Sequence, residues 1–369
     1  MDFEFTEDQL DLRDEARKVL ESTCPPSLVR AVFEGEADGD DLWRELVALD
    51  WPGLGLSEEH GGVGLGFLEV GILVEELGRV VAPGPFLPTI TQLAPLIRES
   101  GSSFRLDDIA HGRCTGTIAL AEDGQWRLDA VRTAARRAGD GWVLDGVKTH
   151  VIHGASADEI GVIARGDQGL GAFVVPGTDL RSTARHVIDP TLPMATLALR
   201  GVEVSGERVL VEPGRSAAET ILRRALEEST VAMALSTVAT CRTIFEVTLH
   251  YAKQREQFGK PIGSFQALKH RLADCYLAVE RASALSYFAA LTIAEDDPRR
   301  AVAASMAKAA AGDCQRVVVR DGLQLHGGIG FTWENDLHFA LKRAKAGDLL
   351  FGNTASHRAR LAELLGLAA

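Results

Sequence analysis

The chain has no Cys-x-x-Cys pair, and its five cysteines, Cys24, Cys114, Cys241, Cys275 and Cys314, lie far apart. That spacing argues against a disulfide framework and leaves isolated, reduced core thiols of a cytoplasmic protein as the expectation. No metal centre is expected. No run of about 18 apolar residues occurs, so no membrane span is predicted. The opening Met-Asp-Phe-Glu is acidic where a signal peptide is basic. Basic residues are outnumbered, 39 Lys+Arg against 52 Asp+Glu, for a formal net charge of −13. Nucleic acid and anionic membrane surfaces are therefore not expected partners. A local Lys/Arg cluster can still oppose the global sign and hold a phosphorylated ligand. Internal repeats and low-complexity segments are also absent.

What the chain does have is length and an apolar core. Its 369 residues, 46% of them apolar, suffice for two or three domains. Three textures follow one another. Up to about Leu106 the pattern is helical: Thr6-x-x-Gln9 reads as a capping box ahead of Leu10, Leu12, Ala16, Val19 and Leu20, and Pro25-Pro26 ends that helix. Asp41 to Leu49, Phe67 to Leu77 and a stretch near Thr89 to Arg98 read as further helices. From about Gly112 to Val211 short alternating runs appear, among them Thr117 to Leu120, Trp142 to Leu144, Ile160 to Ile163 and Gly171 to Val175. Gly, Asp and Pro separate them, and Asp140-Gly141 is a hairpin signal. Beyond Pro213 long helices return, over Ala217 to Lys253, Gln266 to Ala294, Pro298 to Leu323, Asn335 to Gly347 and His357 to Leu365. Such helices with short connections form a bundle.

Two breaks in the last block carry chemistry. Arg255-Glu256-Gln257-Phe258-Gly259-Lys260-Pro261-Ile262-Gly263-Ser264-Phe265-Gln266 interrupts two helices, because Gly259 and Gly263 loosen the backbone and Pro261 removes a donor. Its cations suit a phosphate, its Phe a ring face and its Gln amide an edge; an ordinary polar inter-helix turn is the alternative. Gln324-Leu325-His326-Gly327-Gly328-Ile329-Gly330-Phe331 is the second break. Its glycines follow a helix and not a strand, so a Rossmann dinucleotide loop is not the reading.

Together the two breaks resemble the C-terminal domain of acyl-CoA dehydrogenases. The resemblance extends over the chain, through Phe5 to Gln9, Leu54 to Gly62 (with Ser57 where Pro is usual), Glu75-Glu76-Leu77-Gly78-Arg79 and Gly141 to Lys148. It implies an α+β chain with an N-terminal all-α domain (1–111), a middle β-barrel domain (112–212) and a C-terminal four-helix bundle (213–369). It further implies FAD, an acyl-CoA substrate converted to the trans-2-enoyl-CoA, an electron-transfer flavoprotein as acceptor, and an oligomer. By resemblance, Arg255, Phe258, Ile262, Phe265 and Gln266 contact the adenosine diphosphate half of FAD, and Gln324, Gly327 and Gly328 come from the neighbouring subunit.

The reacting half departs from the pattern. The usual catalytic Glu stands in a Tyr-Glu-Gly-Thr stretch, and here Leu350-Phe351-Gly352-Asn353-Thr354 aligns with it, so Phe351 occupies the position of the base. In the isovaleryl-type variant the Glu comes from the start of the long bundle helix. The gapless count lands on Ser229, and a one-residue shift to Glu228 turns the helix by about 100°. Glu227 and Glu228 read equally as an acidic pair on a solvated helix face. In the middle domain the usual Thr-Glu-Pro stretch is Leu120-Ala121-Glu122-Asp123, and the usual Lys-x-Trp is Lys148-Thr149-His150, where His150 either stacks on the flavin ring or lies on the barrel surface.

These departures resemble the actinobacterial heteromeric branch of sterol side-chain degradation, in which one chain of an α2β2 tetramer keeps the nucleotide grip and its sister supplies the base. The expectation is thus a subunit active only with a sister acyl-CoA dehydrogenase chain. A self-sufficient homo-oligomer using Glu228 or a displaced carboxylate, a non-redox binding subunit, and a flavin oxidase or monooxygenase on the same fold are the alternatives.

Overall fold

The structure, a computed structural model, describes residues 4–367 of the chain. Helix α1 (Glu7–Thr23) opens on the expected capping box: Gln9 N–H donates to Thr6 Oγ1 at 3.3 Å, and Thr6 N–H donates to Gln9 Oε1 at 3.1 Å. Its core contact is narrower than the sequence implies, with Ala16 and Leu20 buried and Leu10 exposed. Pro25-Pro26 does end α1, but Pro26 also starts α2 (Pro26–Glu34), which the sequence reading missed. A proline at the first helical position gives up only an amide that has no intrahelical partner. Next come α3 (Asp40–Ala48), α4 (Phe67–Arg79), a single turn α5 (Phe86–Pro88), α6 (Ala94–Ser100) and α7 (Leu106–Ala110).

Strands β1 (Gly116–Ala119), β2 (Ala134–Ala138), β3 (Gly141–Ile152), β4 (Glu159–Gly166), β5 (Gly169–Pro176), β6 (Arg181–Ala184), β7 (Met194–Val204) and β8 (Val209–Val211) follow. The last block holds α8 (Ala218–Gln254), a minimal hairpin of β9 (Glu256–Gln257) and β10 (Lys260–Pro261), α9 (Gln266–Ala294), α10 (Arg300–His326), α11 (Leu337–Leu349) and α12 (Thr354–Leu364). The chain divides into two compact units, one made of residues 39–66 and 84–229, the other of the segments up to 38, 67–83 and from 230 onward.

The first unit is built on one eight-stranded sheet in the order β6-β7-β3-β2-β4-β5-β8, with β1 added parallel to β4. Residues from β1 to β7 enclose a common core that includes Leu144, Ile160, Val162, Phe173, Val175, Leu197 and Val204. The β2–β3 turn is Gly139-Asp140, one residue earlier than the Asp140-Gly141 signal, since Ala138 pairs with Gly141. Gly141 answers to strand packing instead: a Cβ there would lie 2.4 Å from Val204 O.

The second unit is helical. Helix α10 packs along α9 and against α11 and α12, and α4 packs against α1 and α9. Helix α10 is buried nearly all round through small residues, among them Ala303, Ala304, Ala307, Ala311 and Gly312, which let neighbouring backbones come close. At the α4–α8 contact a Cβ on Gly78 would stand 2.7 Å from Ser236 O, and Thr240 Oγ1 donates to Gly78 O at 2.9 Å. Helices α8 and α9 are long and apolar enough to cross a membrane by length and composition alone. The most apolar stretch of α8 is mostly buried within the protein, as in a core helix.

Candidate functional site

The first break forms the β9–β10 hairpin. Gln257 pairs with Lys260, leaving Phe258-Gly259 as a two-residue turn with φ of +54° and +75°. Both left-handed values belong to the type I′ turn that matches strand twist. Glycine takes this conformation without strain, whereas a phenylalanine there costs about 1–2 kcal/mol. Phe258 is also 91% exposed. Water gives no return for either the strain or the exposed ring, so the position is shaped for something other than packing.

The hairpin is fixed to the helices from below. Arg255 N–H donates to Tyr251 O, the Arg255 carbonyl accepts from Ile262 N–H, each at 2.8 Å, and Gly263 sits where a Cβ would be 2.9 Å from Ala252 O. Lys260 Nζ lies 4.5 Å from the centroid of the Phe265 ring, which in turn meets Phe258 edge-to-face at 6.1 Å. The Arg255 side chain is exposed and forms no ion pair among the described residues. One cation and two aromatic rings thus cluster on the hairpin of a strongly acidic protein, with a second exposed cation, Arg255, at its base.

The second break lies beside the first within the same chain. Ile262 of the hairpin joins Leu268 and Leu272 of α9, Ala252 of α8 and Leu325 of α10 in one apolar cluster. Tyr251 of α8 stacks on His326 of α10 with ring centroids 4.5 Å apart and planes 18° from parallel. His326 Nδ1 lies 2.8 Å from Gly322 O, which fixes the ring. Helix α10 ends at Gly327, whose φ of +61° and ψ of −141° are open to glycine only. No atom lies within 4 Å of a Cβ built on Gly327 or Gly328, so their backbone stands open to a ligand. Gln324 is exposed one turn before them. Ile262 and Leu325 thus bring the two breaks into one apolar cluster within the chain.

In the sheet unit the two altered stretches also meet. Lys148, fully buried, donates from Nζ to Glu122 Oε1 at 2.7 Å and to Leu120 O at 3.3 Å, while Thr149 N–H donates to Ala121 O at 2.8 Å. Burial pushes the Lys148 ammonium down to about 8 against the pull of Glu122. Beyond Lys148 the β3–β7 register slips, and His150 takes a left-handed φ of +54°. Such a bulge re-aims a side chain. Burial, then the nearby Arg185, lower the His150 pKa and favour the neutral ring, and its buried Nδ1 has no hydrogen-bond partner among the described residues.

Phe351 is buried, 5% exposed, at φ +58°, followed by Gly352 at φ +96°. A buried lysine and a half-buried histidine hold this turn. Lys308 Nζ donates to Asp348 O at 2.9 Å and Gly352 O at 2.7 Å, and His357 Nε2 lies 2.9 Å from Phe351 O. Burial lowers Lys308 to about 7 and His357 to about 4, so the imidazole is neutral and its Nε2–H is the donor. Glu228, in the sheet unit, is 1% exposed and ion-paired with Arg98 of α6, which corrects the solvated-face reading. Arg224 Nε bonds Glu99 at 2.6 Å next to that pair.

The residues fit FAD. Exposed Arg255 and Lys260 match a diphosphate, and the Phe258 ring and the open Gly327-Gly328 backbone match an adenosine nucleotide. Fold and local geometry together define a helical protein with an inserted sheet and an exposed cluster of cations, aromatic rings and glycines at the ends of its long helices. Residues 6–104 match the family model of the acyl-CoA dehydrogenase N-terminal domain, and residues 219–366 that of the C-terminal domain. Acyl-CoA dehydrogenase IpdE2 of Mycobacterium tuberculosis is 30% identical over 336 residues, which is 90% of this chain and 89% of that one. Among solved structures, the ChsE4-ChsE5 complex from Mycobacterium tuberculosis matches with a TM-score of 0.91 at 26% identity, covering 100% of both chains. A variant of the Tcur3481-Tcur3483 steroid ACAD matches with a TM-score of 0.88 at 31% identity over 98% of each chain. The chain belongs to the acyl-CoA dehydrogenase family, whose members are oxidoreductases that use FAD.

Sequence reasoning found the two breaks and missed what supports them. Tyr251, His326, Lys308, His357 and Arg98 act through partners distant in the chain. A lone Lys within the alanine-rich run of α10 is the one sequence signal that could have marked Lys308.

Proposed function

We propose that this chain is one subunit of an FAD-dependent acyl-CoA dehydrogenase, oxidising an acyl-CoA thioester to the trans-2-enoyl-CoA with a catalytic base supplied by a sister subunit. The observation that carries the reading is Phe351, a residue that cannot accept a proton, locked by Lys308 and His357 at the position where the family resemblance places Glu. Glu228 does not replace it, because its carboxylate is buried and committed to Arg98. The relatives described as the ChsE4-ChsE5 and Tcur3481-Tcur3483 assemblies support a two-chain enzyme.

Bound FAD supplies the acceptor for the hydride that leaves the β-carbon. This chain's own part is binding and exclusion. Arg255 and Lys260 meet the diphosphate charge, Phe258 offers a ring face to the adenine, and Gly327 and Gly328 allow close backbone approach. Gln266 and Gln324 give amide groups at the edges, and Ile262 and Phe265 seat the hairpin. His150, held neutral, presents a ring nitrogen without adding charge near the flavin. An electron-transfer flavoprotein then takes the electrons, and the cytoplasm is the compartment.

The test is the visible spectrum and turnover of the chain expressed alone and co-expressed with a neighbouring dehydrogenase homologue. A colourless or inactive lone chain that becomes yellow and active with its partner supports the proposal. Turnover of an acyl-CoA by the lone chain at the rate of the assembled enzyme overturns it.

A further inference from the structure

After the glycine turn Gly327-Gly328 the chain runs through a largely exposed loop to α11, and one cluster ties that loop down. Ile329 O accepts from Thr332 N–H at 3.2 Å and from Thr332 Oγ1 at 3.0 Å, which couples the turn to the next residue, Trp333. Trp333 O accepts from Arg30 of α2 at 3.1 Å, and Trp333 Nε1–H donates to Glu34 at 3.0 Å. Arg30 also pairs with Asp336 at the end of the loop. Trp333, 47% exposed, stacks on His338 of α11 with ring centroids 4.6 Å apart and planes 28° from parallel. Lys342, one turn further along α11, sets its Nζ 4.8 Å from the Trp333 centroid and 5.0 Å from that of Phe33.

The centre of this cluster works in one protonation state only. His338 is buried, its Nε2 lies 3.4 Å from Trp333 O, and its Nδ1 lies 3.3 Å from Lys342 Nζ. A carbonyl only accepts and an ammonium only donates, so the ring is neutral, with its proton on Nε2 and its Nδ1 lone pair toward Lys342. An imidazolium would turn a second N–H onto the ammonium. The charges acting on the ring are Lys342 of its own helix, Arg30 of α2 and Asp336 of the loop, with Glu34 of α2 beyond them on Trp333. Trp333 attracts a cation, but Lys342 already lies against that ring. Burial, then Lys342 and Arg30, lower the His338 pKa from 6.5 against the opposing pull of the Trp333 carbonyl and Asp336.

We propose that His338 and Lys342 form a pH-sensitive latch on the glycine turn. Protonation of the imidazole expels the Lys342 ammonium, frees Trp333 and loosens segment 327–336, so that FAD is held less tightly in acid. The consequence for FAD rests on the FAD reading above; the latch itself rests on the cluster alone. Above 6.5 the ring is neutral whether the chain is folded or not, and the latch is intact. As pH falls below 6.5 the unfolded chain takes up the proton first, so the folded cluster loses stability until its own imidazole is protonated. Glu34 stays charged through this window, because its hydrogen bond from Trp333 holds it below the usual carboxylate range.

The experiment labels the full chain with fluorotryptophan, assembled with its sister subunit where that is what holds flavin. Fluorine NMR follows the Trp333 resonance, identified by its loss in Trp333→Phe, from about pH 8 to about pH 5. That resonance is expected to move in one transition below 6.5. FAD affinity, read by flavin fluorescence, is expected to fall about tenfold across the same transition. In His338→Asn, whose amide oxygen replaces Nδ1 as the acceptor for Lys342, both changes disappear. Should that variant not fold, Lys342→Met serves: its imidazolium no longer meets an ammonium, and the transition moves up toward 6.5. A Trp333 resonance that does not move in the parent overturns the inference, as does a transition that survives His338→Asn or keeps its midpoint in Lys342→Met. A Trp333 transition that leaves FAD affinity constant overturns it as well. If Trp333 titrates as expected but the protein binds no FAD at any pH, the latch stands and it is the FAD reading that fails.

Discussion

Lys308 Nζ donates to the carbonyl oxygen of Gly352 at 2.7 Å, so a buried lysine of α10 holds the turn that carries Phe351. The side chain is fully buried, and burial, offset in part by Asp348, brings its pKa from 10.5 down to about 7. Between pH 7 and 10.5 the unfolded chain therefore holds a proton that the folded chain does not, and this group makes stability rise with pH across that window. Lys308→Met removes the dependence and leaves two carbonyls unpaired, at a cost of roughly 2–4 kcal/mol. Urea unfolding at both ends of the window is expected to show a variant deficit that widens as pH rises.

Phe351→Glu introduces a carboxylate into a turn whose backbone Lys308 and His357 already fix. Stability is expected to fall by about 2 kcal/mol or more, because the site is buried. Enoyl-CoA formation by the FAD-loaded chain is expected to rise at least about a hundredfold over the parent, the usual scale of a positioned base. Single-turnover absorbance of the flavin reads the gain, and no gain would show that position 351 is not where a base acts.

Phe258→Gly separates binding from folding. The left-handed φ is relieved and an exposed ring is removed, so thermal stability is expected to stay level or rise by up to about 1 kcal/mol. FAD affinity is expected to weaken roughly tenfold through the lost ring contact. Flavin fluorescence titration measures the second effect and thermal unfolding the first.

Glu228→Gln breaks the ion pair between a buried carboxylate and the partly exposed guanidinium of Arg98. We expect a loss of about 1–3 kcal/mol, strongly reduced when Arg98 is already replaced by Met, with turnover of the assembled enzyme changed less than about threefold. A collapse of turnover with stability intact would instead make Glu228 the base.

The long elements were legible because their signals are local. Helix α9 runs from Gln266 to Ala294 as expected, and α8 and α4 differ from expectation by only one or two residues at an end. The capping box of α1 and both glycine breaks were visible for the same reason. Strands β6 to β8 were not: β6 is exposed at every position, and β7 carries Gly201 at φ +65°, so neither shows clean alternation. The candidate site was half legible. Phe258 and Gly327 stand out as residue types, whereas the Tyr251–His326 stack and the Lys308 anchor exist only once distant segments have packed.

Pro95 and Ser229 form a pair across 134 positions of sequence, because one withholds the donor that the Thr91 carbonyl lacks and the other provides it. Their substitution histories are therefore tied. A non-proline residue at 95 restores the helical N–H and frees position 229 to lose its hydroxyl, but it also sets a new amide beside the Ser229 hydroxyl at the end of the π turn Thr89–Leu93. Serine lost first takes a donor from the carbonyl; proline lost first makes an amide and a hydroxyl compete for it. Drift along either order passes through a disadvantaged intermediate, so the two positions are expected to change together or not at all.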